Sequence, residues 1–427
     1  MTDVASLQDQ KKQIMKQQLR DKLSNLSSGI VEWESSDSTE ILGNNGLVIK
    51  LQERSEQSLS LLAQGDGLDW LASYINGHWA TSNILDLLRR LAVKEQLVLK
   101  KKFTWSRKAL HFYKKWVHQS INEAFKFLGS HQDFSDRFFE SFLDEQLGLY
   151  SPGLYLYPQA TLEQAAYWQL QRICEKLSLT PTDRFLDLGS GPGSLGLYAA
   201  EHYGVSATIL IYSDHHQRLI DTKAHLMGVE HLIRTITVDE FLHSSDKLYD
   251  KAALLTPPQL VGHLYLKDIM FKLKSILSDE SLILLQMIHQ ESSDFGDLYE
   301  NFMKKYFFDS FTFYPIHESI ADLLSSCSFR LLQSEAMNDH VARSMKDWYE
   351  RLQSKKDRLI DLGITPTYIK IFECYLGLIY AGICTRQIQS TQILLAHKNY
   401  KGTDWLLSHS KSAYFPSPYI DPDKKID

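Results

Sequence analysis

From residue 184 onward, short apolar runs alternate with stretches of helical period. Residues 184–188, 206–212, 234–238, 251–255 and 282–287 each read as a buried strand, and amphipathic segments separate them. This alternation predicts an α/β fold: a doubly wound, Rossmann-like parallel sheet with helices on both faces. Such sheets bind ligands beyond the carboxyl ends of their strands, near the switch in strand order. That rule gathers residues 189–193, 212–216, Asp239 and residues 256–259 around one crevice. Upstream, the first 30 or so residues read as a polar helix. Residues 30–51 alternate apolar and polar positions around Asn44-Asn45-Gly46 and read as strands, and residues 59–91 read as short helices. Downstream, residues 348–395 are expected to form a helical cover, and an irregular tail follows residue 401. The predicted organisation is therefore a small N-terminal domain with a basic linker (1–120), the α/β domain with its C-terminal helices (121–400) and the tail (401–427).

Composition narrows the function classes. The 427 residues are 44% hydrophobic and 23% charged, which is globular. A net charge of −6 gives no support for nucleic-acid binding. Cys174, Cys327, Cys374 and Cys384 show neither metal spacing nor a disulfide framework, and the 16 histidines are scattered, so no metal is expected. The first residues form no apolar leader, and apolar runs such as 282–288 fall far short of the ~20 residues of a membrane span. A cytoplasmic chain is expected, with any membrane contact peripheral. Residues 100–117 interleave lysines with Phe103, Trp105, Phe112, Tyr113 and Trp116. They suit either an amphipathic helix on an anionic membrane face or a solvated linker packed through its aromatics.

The chemistry concentrates at Phe185-Leu-Asp-Leu-Gly-Ser-Gly-Pro-Gly193. A strand ends at Asp187 and breaks into Gly189, Gly191 and Gly193, where the missing side chains let backbone close on a ligand beside a helix N-terminus. Gly191, Gly193 and Gly196 fit the dinucleotide pattern G-x-G-x-x-G. The wider D-x-G-x-G-x-G resembles the first motif of class I methyltransferases, which bind S-adenosylmethionine.

Further segments, in order, carry a resemblance to the cyclopropane-fatty-acyl-phospholipid synthase family over residues 60–400. They are Tyr74-Ile-Asn-Gly-His-Trp79, His131-Gln-Asp133 with Phe138, Tyr150-Ser151 before Thr161-Leu-Glu163, the glycine loop, His340 to Arg343 with Trp348, and Tyr375 with Arg386-Gln-Ile388. The resemblance implies transfer of a methyl or methylene group from S-adenosylmethionine to an unsaturated acyl chain of a membrane phospholipid. It implies docking on the inner membrane face, and it is compatible with a homodimer. It assigns cofactor contacts to Tyr150, Ser151, Asp187, Gly189, Gly191, Gly193, Tyr212, Ser213, His216 and Asp239. His216 stands where the family has Gln, and Asp214 is a substitute candidate for the ribose.

The family also cradles a bicarbonate base with Cys, Glu, His and Tyr. The matching positions here are Pro152, the Pro258-Gln259-Leu260 stretch, Gln286 and Val341, so bicarbonate is not expected. Gln259, Gln286 and His340 remain the candidate catalytic residues, and His289, Trp348 and Tyr349 are expected to be structural. Two other classes are compatible with these residues: a non-catalytic lipid- or cofactor-binding partner, and a small-molecule methyltransferase.

Overall fold

A computed structural model describes residues 2–24, 26, 29–93, 138–246, 248–255, 263–290, 293–307, 324 and 326–402. The basic segment 100–117, His131, Gln259 and the tail beyond residue 402 lie outside the described residues.

The larger sheet has seven strands. They are β5 (Arg184–Leu188), β6 (Ser206–Ile211), β7 (Ile233–Thr237), β8 (Tyr249–Leu254), β9 (Leu277–Gln290), β10 (Phe329–Ala336) and β11 (Ile388–His397), in the order β10-β11-β9-β8-β5-β6-β7. Pairing is parallel from β7 through β6, β5 and β8 to β9, and antiparallel at β9–β11 and β11–β10. The order reverses between β5 and β8, which makes their carboxyl ends the switch point. Alternation explains the burial of the central strands. Phe185, Ala253, Leu282 and Leu284 enter one apolar cluster, while Leu186, Ala252, Ile283 and Leu285 enter another. Successive side chains point to opposite faces, so both faces are covered.

Helices α5 (Leu162–Lys176), α6 (Ser194–Tyr203), α7 (Asp214–Met227), α8 (Val238–His243) and α9 (His263–Ile276) belong to this sheet. Each of α5 and α8 starts with a capping box, Thr161 with Gln164 and Thr237 with Glu240, which satisfies two orphan donors reciprocally.

The C-terminal expectation needs correction. Residues 348–395 are not all helix: α11 (Asn338–Ser354), α12 (Lys356–Asp361) and α13 (Pro366–Cys384) are followed by β11, and β10 had no strand reading at all. β11 is buried along nearly its whole length between two strands, so its side chains show no alternation to read. The 19-residue α13 is also apolar enough to pass as a membrane span, contrary to expectation, yet 67% of that stretch is buried within the protein.

The N-terminal part follows its reading except at β4 (Trp79–Thr81), a short strand inside the stretch 59–91 that reads as helices. Helix α1 (Thr2–Ser24) precedes β1 (Gly29–Glu34), β2 (Thr39–Asn44) and β3 (Val48–Glu53). Then come α2 (Ser58–Gln64), α3 (Gly67–Ile75), β4 (Trp79–Thr81) and α4 (Ile84–Val93). The strands form a sheet of order β2-β1-β3-β4. This unit shares one apolar cluster with α10 (Ser293–Tyr306), α11 and α13. Gly377 lets α13 approach α4 closely, since a Cβ there would stand 2.8 Å from Leu88 Cδ1. The hydroxyl of Tyr74 donates to the fully buried Glu373 on α13 at 2.5 Å, and Gln353 and Lys356 donate to the other carboxylate oxygen at 2.7 and 3.0 Å.

Candidate functional site

The turn after β5 is a cradle of left-handed backbone. Gly189, Gly191 and Gly193 have φ of 95°, 86° and 76°, a region costly for any residue with a Cβ. A Cβ on Gly191 would lie 3.1 Å from Tyr150 Cβ and 3.2 Å from Tyr150 N. Gly193 is the N-cap of α6 without a side-chain cap of its own, and the first-turn amides of Leu195 and Gly196 are met instead by Ser190 Oγ and Asp187, each at 3.0 Å. Gly196, the third glycine of the dinucleotide pattern, serves packing: a Cβ there would meet Ile209 at 2.6 Å.

Asp187 shapes this cradle from within. It is fully buried and accepts from Ser190 N at 3.2 Å, from Gly196 N at 3.0 Å and from the Ser190 hydroxyl. Burial pushes its carboxyl up to about 6, and those hydrogen bonds oppose the shift. Its oxygens tie the loop to the start of α6.

The carboxyl ends of β6 and β7 adjoin the cradle, because β5, β6 and β7 are parallel neighbours. Tyr212 follows β6 and stacks on His216, with ring centroids 6.1 Å apart. Ser213 caps α7, accepting from His216 N at 3.2 Å. The His216 ring is buried, its base strength pushed down to about 4 by desolvation, and it bonds the Gly191 backbone. Its Nδ1 has no partner among the described residues. Asp214 and Asp239 are exposed, in the first turns of α7 and α8.

On the other side of Tyr150 lies a cavity. Its walls include Tyr150, Pro152, Leu255, Gln286, Val341, Met345, Trp348, Tyr375, Ile379 and Ser390. Pro152, Gln286 and Val341 come from three distant segments, and they are three of the four positions where the family resemblance expects bicarbonate ligands. The fourth, Gln259, lies outside the described residues. Trp348 is therefore cavity wall as well as core, stacked on Tyr150 at 5.9 Å. Tyr375 and Tyr150 are hydrogen-bonded phenols, both pushed up by burial, Tyr375 to about 12, so neither is a base near neutrality.

Gln286 is committed elsewhere. Its Oε1 accepts from Gln169 Nε2 at 2.8 Å and Gln392 Nε2 at 3.1 Å, and its Nε2 donates to Ser151 Oγ at 2.9 Å. With both lone-pair directions taken, the amide shows the cavity only N–H. Trp348 Nε1 and Ser390 Oγ are buried and unpartnered among the described residues.

His340 does not line this cavity. Its Nδ1 accepts from Tyr155 N at 3.2 Å, while Ser344 Oγ accepts from Gly153 N at 2.9 Å. Both side chains of α11 thus brace the segment carrying Tyr150, Ser151 and Pro152. His289 is likewise structural, bonded to Thr391 Oγ1 at 2.9 Å. Asp144, which sequence reasoning missed, fixes the approach to Tyr150 by accepting from Leu147, Gly148 and Leu149 amides at 2.6, 3.2 and 2.7 Å. Tyr375 and Ile379 were missed as cavity residues because they sit in an apolar run that reads as plain core, and Ser390 because it lies in the polar run 389–392, which carries no motif.

The architecture agrees with comparisons to known proteins. The sphingolipid C9-methyltransferase of Komagataella phaffii is 25% identical over 289 residues, 64% of this chain and 58% of that protein, so the chain spans little more than half of that relative. The tuberculostearic acid methyltransferase of Mycobacterium tuberculosis is 23% identical over 322 residues, 73% of this chain and 74% of the relative. The solved cyclopropane synthase MmaA2 of Mycobacterium tuberculosis shares the fold, with a TM-score of 0.59 at 22% identity over 64% of this chain and 98% of that one. The family model described as mycolic acid cyclopropane synthetase matches residues 119–393, well over half of the sequence, and the chain belongs to that family.

Proposed function

We propose that this protein is an S-adenosylmethionine-dependent methyltransferase that adds a methyl branch to an unsaturated acyl chain of a membrane lipid, without closing a ring. The observation that carries the reading is the shared wall. Tyr150 packs its backbone against Gly191 of the cradle and presents its ring to an apolar cavity. A polar cradle for a charged donor and a dry slot for an acyl chain thus meet at one residue.

The cradle fits the donor. Backbone at Gly189, Gly191 and Gly193 and the Ser151 hydroxyl would hold its amino-acid end, and Tyr212, Ser213, His216 and Asp239 its nucleoside end. The group would supply an electrophilic methyl when bound, and the acyl chain balances the added charge by losing to solvent a proton from a chain carbon beside the new branch, which restores a double bond and leaves a net gain of one methylene unit. The residues here align the acyl carbon with the cradle and exclude water. The mode of ring closure used elsewhere in the family needs a base at the new methyl. Pro152 and Val341 supply none, and Gln286 presents a donor.

Phospholipid or sphingolipid is the substrate class that fits the relatives named above, and docking on a membrane face follows from such a substrate. Lipid analysis of an expressing host tests the reading. A mass gain of one methylene unit on unsaturated chains supports it, and unchanged lipids despite bound donor contradict it.

A further inference from the structure

A chain of hydrogen bonds runs behind the site, and its direction is fixed at one end. Lys176 on α5 is 1% exposed and pairs with Glu335 on β10. It also donates to Gln392 Oε1 on β11. An ammonium has three donors and no acceptor, so Gln392 must turn its carbonyl toward Lys176 and its NH2 away. That NH2 donates to Gln286 Oε1 at 3.1 Å. Gln286 in turn presents its NH2 to Ser151 Oγ at 2.9 Å. Every bond points the same way, from the ammonium to the serine, and each polarises the next.

The consequence falls on Ser151. One lone pair is occupied by Gln286, and no described residue accepts its proton. The residue is 3% exposed and follows Tyr150, whose backbone packs on Gly191. Its O–H is therefore aimed away from the chain and is strengthened as a donor. Burial pulls the Lys176 ammonium down only to about 8, with Glu335 opposing, so it stays charged near neutrality. Arg172 lies 4.0 Å from the same Glu335.

We propose that Lys176 is a positioning residue which, through Gln392 and Gln286, fixes the Ser151 hydroxyl as a hydrogen-bond donor to the amino-acid carboxylate of the methyl donor. This rests on the donor reading above. A carboxylate is the one anionic end of that molecule, and it takes a directed O–H best. The same chain holds Gln286 with its carbonyl turned from the cavity, so one buried cation serves both sides of the Tyr150 wall.

The sharpest variant is Gln392→Glu. A carboxylate still accepts from Lys176 but cannot donate to Gln286. The Gln286 amide then turns over, with Gln169 free to turn with it because its Oε1 has no partner. Ser151 donates inward and shows the site only a lone pair. Lys176→Met removes the anchor outright, and the Glu variant covers the case in which the methionine chain fails to fold. Calorimetry with S-adenosylhomocysteine, which has the carboxylate, and with methylthioadenosine, which lacks it, reads the effect.

The expected result is a loss of about tenfold or more for S-adenosylhomocysteine. Affinity for methylthioadenosine stays unchanged. Equal affinities in wild type and variants, or an equal loss for both ligands, overturn the inference. Wild-type protein that binds neither ligand overturns the donor reading itself.

Discussion

The cradle and the cavity share Tyr150 but are built on opposite plans. The cradle is contiguous in sequence and made of backbone: three left-handed glycines, one buried carboxylate and a helix start within ten residues. The cavity is assembled from side chains at residues 150–152, 286, 341–348, 375–379 and 390, and what they show it is apolar surface, the Gln286 N–H and neutral hydroxyls. The difference teaches which part of such an enzyme is free to change. A backbone cradle tolerates little substitution, because its function is a conformation. A side-chain cavity can exchange acid and base for proline, valine and glutamine without a change of backbone conformation, and its chemistry moves with them.

Four substitutions probe that contrast. Gly191→Val has the largest expected effect, since it forces a β-branched residue to φ of 86° against the Tyr150 backbone. S-adenosylhomocysteine binding should fall more than about 100-fold by calorimetry. Ile379→Trp fills the cavity from α13. It should abolish lipid modification in an expressing host, while donor affinity changes by no more than roughly twofold, the overpacking being confined to the far wall. If donor binding also collapses, the two regions are one unit and the comparison fails.

His216→Gln acts through pH. The buried imidazole titrates at about 4, below its ordinary 6.5, so between these values the unfolded chain binds the proton more readily. Wild-type stability should therefore fall relative to the variant as pH drops through that window, by up to about 3 kcal/mol. Asp187 has the opposite sign: its carboxyl is raised to about 6, so acidification through that value favours the folded state. The difference curve from urea titrations isolates the histidine. A flat difference would place its ring in solvent.

Tyr74→Phe has the smallest expected effect. It removes one donor from buried Glu373 while Gln353 and Lys356 remain. A loss of about 1–3 kcal/mol in unfolding free energy is expected, with donor affinity retained.

How legible each region is follows the same division. Residues 185–193 announce strand, turn and helix because the geometry forces glycine at fixed spacing. The five parallel strands were readable from apolar runs to within a few residues. β11 reads as helix because a fully buried strand carries no alternation, and Gln392, at the end of the polar run Gln389-Ser390-Thr391-Gln392, makes sense only once Lys176 is seen beside it. Gln286, Pro152 and Val341 were found through ordered motifs, and the fold brings them to one wall. His340 was a plausible base by type and position, yet its Nδ1 is engaged by the Tyr155 amide. No local pattern could show that, because the partner is 185 residues away.

The central claim is that a methyl group passes from the cradle into a cavity whose wall, among the described residues, has no base to deprotonate it. Expressing the protein in a host fed methionine with a fully deuterated methyl, then analysing unsaturated lipid chains by mass spectrometry, tests it most directly. A modified chain that keeps every deuterium of the transferred methyl is the predicted result. A chain that has lost one deuterium in forming a ring would contradict the account.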